Sequence, residues 1–350
     1  MAVCRHLVCM MGVYAVRKAL LYVHSTDVPT ASNEPLLLAD GKPEVRVILA
    51  APRGFCAGVR RAIDAVSDAL IEHGAPVYVR RAIVHNLEVV RSLEAQGAIF
   101  VQELDEVPEG AVVIFSAHGV SPEIAADATR RGLRSYDAVC PLVSKVHHEV
   151  KRHQRGGRQL ILIGHKGHPE IEGTLGYVQT VEAYVVKSVE EVQSLPLQRD
   201  VPSAYAVQTT YSVDDAHAIV EALRERFSDI VGPPSSDICY ATTNRQTAVR
   251  ELARNCDAFI IVGERFSSNA CRLAEVAGDD CAAVQLIAGP DELDWMALPM
   301  AGTIGISAAA STPESSVQDV VAALGRRYRL SLEEAPSEPE STVFKRMAIA

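Results

Sequence analysis

Three cysteines stand where thiol chemistry is favoured. Cys56, in "PRGFCAGV", follows a strand-like apolar run (Val45 to Ala50). It opens a helix whose apolar positions Val59, Ile63, Val66 and Leu70 recur at spacings of four, three and four. Cys140, before "PLVSKVHHEV", and Cys239, before "YATTNRQ", have the same setting, at intervals of 84 and 99 residues. A helix N-terminus offers unpaired N–H groups and partial positive charge, which favour a thiolate. One such cysteine can be a nucleophile, a metal ligand or a small buried residue. Three placed alike point to a common centre, and three thiolates suit a soft metal or an iron–sulfur cluster. Structural zinc usually draws on C-x-x-C pairs, and the chain has none.

A second group is polar. His85, His118, His168, Glu170, Thr209, Ser267, Ser268, Asn269 and Ser311 fall at the ends of apolar runs or at helix starts, and ligands of open α/β sheets bind at those ends. "FSSNAC" sets two hydroxyls and an amide at a helix mouth, and Ser311 in "ASTPE" stands similarly. N–H groups there point outward and favour an anion such as a diphosphate. His85 and His118 can donate hydrogen bonds and, if protonated, charge. Glu170, two residues after His168 in "GHPEIEGT", is a carboxyl suited to relaying protons. His165 and Glu172 read as structural, and "HHEVKRH" as a solvated helix face. There is no P-loop and no G-x-G-x-x-G, so no nucleotide is implied.

These residues need strands and helices to hold them. "RVILA", "PVYV", "AIFV", "AVVIFSA", "QLILIG", "AYAVQ", "AFIIVG", "AVQLIA" and "GTIGIS" read as buried strands, with helices between them. Ser121-Pro122-Glu123 and Ser212 are helix starts. The alternation predicts an α/β fold with largely parallel sheets. The cysteine repeat divides it into three related α/β units in a pseudo-threefold arrangement, 44–140, 141–235 and 236–328. An N-terminal extension (1–43) and a loosely packed acidic tail (329–350) flank them.

With 350 residues the chain can bury a sizeable core. Its net charge of −10 argues against nucleic acid or an anionic membrane as a partner. Eight cysteines are too sparse for a disulfide scaffold, and no apolar run is long enough for a bilayer. A reducing cytoplasm is the expected setting. The first 26 residues lack Asp and Glu, a weak transit-peptide trait, and are read as an extension without function.

"PRGFCAGV", "VHN", "FSAHGVS", "CPLVSKVH", "GHPEIEGT", "QTT", "DICYATTNRQ", "SSN" and "ASTPE" resemble, in this order, motifs of the 4-hydroxy-3-methylbut-2-enyl diphosphate reductases. These are the terminal enzymes of the methylerythritol phosphate route to isoprenoids. The resemblance runs from Val45 to Arg327. It implies three lobes around a [4Fe–4S] cluster held by Cys56, Cys140 and Cys239, with one iron open. It implies removal of an allylic hydroxyl with two electrons and two protons, giving isopentenyl and dimethylallyl diphosphate. By the same resemblance His85, His118, Ser267, Ser268, Asn269 and Ser311 match diphosphate-holding positions, and His168 a substrate contact. Glu170 matches the proton donor and Thr209 its relay. Reduced ferredoxin or flavodoxin is the implied electron donor. Ala51, Arg60, Phe266, Ala270, Cys271 and Ala309 depart from the family's usual pattern. Two alternatives stand beside this reading. One is a divergent relative that keeps the cluster in a regulatory or binding role. The other is a zinc-dependent phosphate-ester hydrolase using His85, His118 and His168, with Glu170 as base.

Overall fold

The computed structural model describes residues 41–349. Residues 1–40, most of the expected extension and all of its transit-peptide-like stretch, lie outside them. The chain enters through β1 (Glu44–Leu49) and turns into α1 (Ala57–His73). Next come β2 (Val77–Arg80), α2 (Leu87–Ala95), β3 (Ala98–Val101), β4 (Val112–Phe115), α3 (Pro122–Arg130) and β5 (Arg134–Asp137). A second run holds α4 (Pro141–Arg155), β6 (Gln159–Ile163), α5 (Pro169–Leu175), β7 (Ala183–Val186), α6 (Val189–Gln193), β8 (Ser203–Val207), α7 (Val213–Arg226) and β9 (Ile230–Val231). The third holds α8 (Tyr240–Ala253), β10 (Ala258–Val262), α9 (Ser268–Asp280), β11 (Val284–Ile287), β12 (Gly302–Ala308), α10 (Glu314–Arg327) and β13 (Arg329–Glu334).

Among the described residues the strands form three wholly parallel sheets, ordered β3-β2-β4-β5, β7-β6-β8-β9 and β11-β10-β12-β1-β13. Parallel strands need crossover helices, and helices cover both faces of such sheets. The central strands VVIF and AFIIV are accordingly buried at every residue. The first two sheets share one order. The third repeats it with β1 in the place that β5 and β9 hold in theirs.

That arrangement changes the expected division. β1, expected in the first unit, pairs with β12 and β13, aligning Val45 with Gly302 and Leu330. The first lobe's sheet therefore begins at β2. The tail is corrected as well. Its first six residues are the edge strand β13, and the Glu340 carboxylate accepts hydrogen bonds from buried Arg245. Met347 and Ile349 pack against the first lobe's core. Exposed side chains made β13 read as solvated, although its backbone is paired throughout.

The threefold plan also locates the thiols. β1, β5 and β9 hold equivalent places in the three sheets, and each leads to a cysteine that opens the next helix. The chain thus passes from lobe to lobe at Cys56, Cys140 and Cys239.

Candidate functional site

Each of the three cysteines is the N-cap of its helix. Cys56 Sγ accepts from the Val59 amide (3.5 Å) and Cys239 Sγ from the Thr242 amide (3.4 Å). Thr242 Oγ1 lies 3.2 Å from the Cys239 sulfur. Among the described residues no amide donates a capping bond to the Cys140 side chain. Gly58 lets the first two sulfurs approach. A Cβ there would stand 2.6 Å from Cys140 Sγ and 3.8 Å from Cys56 Sγ, so any larger residue would fill the space between them. Burial pushes the Cys140 thiol up to about 12 and that of Cys239 up to about 11. Bare thiolates are thus disfavoured, and a cationic metal centre is what would reverse the balance. Among the described residues no three His, Cys, Asp or Glu side chains converge as ligands of a single ion. A cluster spans several ångströms, so its thiolates need not converge in that way. The donor set, three helix-capping thiols lining one cavity, fits one.

The cavity that the three cysteines line is also lined by His85, His118, His168, Glu170, Thr209, Ser267, Ser268, Asn269 and Ser311. All twelve candidates therefore meet in one place, drawn from all three lobes. Glu170 is 2% exposed at the start of α5. Its Oε1 accepts from the Thr209 amide (2.7 Å) and its Oε2 from Thr209 Oγ1 (2.8 Å). Burial raises its pKa to about 7, despite both bonds. A carboxyl so poised exchanges its proton near neutrality. His168 caps α5, its Nδ1 accepting from the Glu170 amide (3.2 Å), so a neutral ring carries its hydrogen on Nε2.

The His85 and His118 rings stack at 4.1 Å, and His168 meets both edge-on. Burial lowers His85 to about 4, His168 to about 3, and His118 well below its ordinary value. Burial thus favours the three as neutral donors, not the cations that were one expectation for His85 and His118. An arriving anion would raise all three.

Ser267 caps α9 by accepting from the Ala270 amide, and Ser268 Oγ accepts from Gln208 Nε2 (3.3 Å). Both hydroxyl hydrogens are left to donate. Among the described residues neither polar atom of the Asn269 amide has a partner, although the residue is buried. Leaving an amide unpaired is costly, so this side chain is poised for a ligand. Ser311 differs, because its hydroxyl donates to the His85 carbonyl (3.0 Å). It must turn before it can donate to an anion.

The cavity wall includes residues that the sequence reading did not single out, among them Thr210 and Thr242. Thr242 stands three residues after a cysteine N-cap, a local signal that was available. Cys271 does not line the cavity; its Sγ donates to the Arg265 carbonyl (3.0 Å). Phe266 lies edge-on to His85, and Ala270 and Ala309 pack at Gly263. The "HHEVKRH" expectation needs correction, since His147 and His153 are buried and only His148 faces out. His147 packs on the Tyr177 ring, and burial lowers it to about 4. His165 lies against Tyr211, and Glu172 pairs with Arg81 (2.6 Å).

The fold and the site together define a three-lobed α/β protein whose lobes share one thiol-lined cavity. The chain belongs to the LytB protein family, whose profile matches residues 47–325. It is 52% identical over 303 residues to the 4-hydroxy-3-methylbut-2-enyl diphosphate reductase of Burkholderia pseudomallei (strain 1026b), covering 86% of this chain and 96% of that one. It is 51% identical over 304 residues to the reductase of the same name from Stenotrophomonas maltophilia (strain K279a), covering 85% and 96%. Its fold is similar to the solved E-1-hydroxy-2-methyl-but-2-enyl-4-diphosphate reductase of Plasmodium falciparum. The TM-score is 0.80 at 38% identity, covering 86% of this chain and 96% of that one.

Proposed function

We propose that this chain reduces (E)-4-hydroxy-3-methylbut-2-enyl diphosphate to isopentenyl and dimethylallyl diphosphate, consuming two electrons and two protons. One observation carries the reading: a buried acid poised near pH 7 shares a cavity with three helix-capping cysteines and an unpaired buried amide. The relatives' names agree with it. Cys56, Cys140 and Cys239 would hold a [4Fe–4S] cluster, which when bound supplies Lewis acidity and one-electron chemistry.

The chain's own residues do the rest. Ser267, Ser268 and Asn269 take the diphosphate with two O–H donors and an amide. His85, His118 and His168 add neutral N–H donors, and Ser311 joins once it leaves the His85 carbonyl. This fixes the allylic hydroxyl toward the thiols. Glu170 holds its proton below about pH 7. In that form its carboxyl hydrogen lies toward Thr209 Oγ1, which passes its own hydrogen into the cavity. The departing hydroxyl takes that proton and leaves as water, the second proton and the two electrons end in the new C–H bond of the product, and burial of the pair keeps bulk water from competing.

The electrons come from a reduced ferredoxin or flavodoxin. Free thiols and such a donor suit a reducing compartment, which supports a cytoplasmic setting. Among the described residues no helix is long and apolar enough to cross a membrane, and a charge of −10 disfavours nucleic acid.

The test is anaerobic turnover of the allylic diphosphate with a chemical reductant, alongside iron and zinc analysis. Both isomeric products should form on an iron-loaded protein. Iron without turnover would overturn the catalytic reading in favour of a binding or regulatory one. Zinc with phosphate-ester hydrolysis would overturn the cluster.

A further inference from the structure

Arg245 is fully buried in α8, six residues after Cys239. Its five N–H donors have five bonds. Nε and Nη2 donate to the Gly54 carbonyl (3.1 and 2.8 Å), and Nη1 donates to the Ala241 carbonyl (2.9 Å). Nη1 and Nη2 also donate to the two Glu340 oxygens (2.9 and 3.2 Å). Gly54 lies two residues before Cys56 with a φ of +66°, and a Cβ on it would stand 3.1 Å from the Thr312 carbonyl. One guanidinium therefore ties the loop of the first cysteine to the helix of the third. The Ala57 amide adds a second tie by donating to the Tyr240 hydroxyl (3.4 Å).

The counter-charge comes from the tail. Glu340 also accepts from Asn244 Nδ2 (3.1 Å). Further along, Arg346 reaches Asp68 on α1 (3.2 Å), and the Lys345 carbonyl accepts from Arg61 on α1 (3.3 Å). The segment after β13 thus runs from the helix that Cys239 caps to the helix that Cys56 caps.

We propose that Arg245 is a positioning residue for the thiol-lined centre and that residues 336–349 are the strap that keeps it in place. A guanidinium does not give up its proton in a protein. Buried without Glu340, it would be an uncompensated cation, which proteins relieve by moving the charge toward water. Its bonds to Gly54 would go with it, and the spacing of Cys56 to Cys239 would loosen. What the centre holds rests on the proposed function; the strap itself does not.

The experiment uses the full chain isolated without oxygen, as parent, Glu340→Gln, Glu340→Asp and Glu338→Gln. Glu338 is an exposed carboxylate of the same tail and serves as control. Hydrogen–deuterium exchange is followed over 52–59 and 239–245, and iron release to a chelator on the same samples. Glu340→Gln should speed exchange in both segments by about tenfold or more, the scale of a lost charge-assisted hydrogen bond. Iron release should quicken with it. Glu340→Asp, which keeps the charge, should stay near the parent, and Glu338→Gln should match it. Unchanged exchange in Glu340→Gln, or an equal rise in Glu338→Gln, overturns the strap. A parent chain without iron overturns the cluster instead, and the exchange result still decides the strap.

Discussion

Replacing Glu170 by glutamine separates the proton from everything else the side chain does. The amide keeps an oxygen for the Thr209 amide and offers an N–H to Thr209 Oγ1, so both native contacts persist. It cannot release a proton. With iron content and KM near the parent values, kcat should fall by about 10²-fold or more, the usual scale for general acid catalysis. Binding retained with turnover lost marks a role in the chemical step. The pH profile carries a second signature. The parent holds its proton below about pH 7, so its kcat/KM should decline above that value. The variant should lack that limb. Stability gives a third. The folded-state pKa of about 7 lies above the ordinary 4.5, so the fold binds this proton more tightly than the unfolded chain does. The protonated carboxyl's contribution is therefore complete below pH 4.5 and is lost as pH rises through 7. Over that interval the loss amounts to about 3 kcal/mol. Glutamine does not titrate, so the variant should gain on the parent in thermal midpoint between pH 5 and pH 8. A variant that turned over at the parent rate with equal iron would refute the assignment of Glu170 as the acid. A parallel thermal response in both proteins would refute the argument from burial.

Cys56→Ser, Cys140→Ser and Cys239→Ser should each lose most bound iron, whereas Cys256→Ser and Cys281→Ser should keep it; equal retention in all five would dismiss the thiol centre. Asn269→Ala removes a buried amide without a protein partner, so KM for the diphosphate should rise by about ten- to a hundred-fold with kcat less affected. An unchanged KM would mean that no phosphate sits there. Cys271→Ser should leave the absorption spectrum of the iron-loaded protein as it is, because that sulfur donates to the Arg265 carbonyl outside the cavity; a shifted spectrum would show that the sulfur reaches the metal.

Much of the candidate site was legible because its signals are local. A cysteine between an apolar run and a helical pattern reads as an N-cap wherever it occurs, and Cys56, Cys140 and Cys239 are N-caps. Hydroxyls and carboxyls at strand ends read as cavity residues for the same reason, so Ser267, Glu170 and Thr209 could be named before any coordinates. All nine strands expected from apolar runs are present. The four described strands that escaped notice, β5, β7, β9 and β13, are edge strands; β5 (RSYD) and β13 (RLSLEE) are polar, and β9 has only two residues. An edge strand needs its backbone paired but not its faces buried, so hydropathy marks some, such as β3 and β11, and passes over polar or short ones.

The rest depended on residues far apart in the chain. Nothing local says that β1 joins a sheet with strands more than 200 residues away, because parallel pairing is decided by what the crossover helices bring alongside. Burial decided the charge states: the same histidine in water would titrate near its ordinary 6.5, and enclosure makes the His85, His118 and His168 cluster neutral. Enclosure likewise brings the Glu170 acid to neutrality. "NRQ" in the sequence is an arginine on a helix; that it is sealed among the Gly54 carbonyl, the Ala241 carbonyl and a tail carboxylate follows only from the packing of three lobes. The sequence by itself determined which side chains stand at helix mouths and strand ends. The tertiary structure decided that those of all three lobes face one cavity, since only the packing of the lobes takes the water away and lets their charges act on one another.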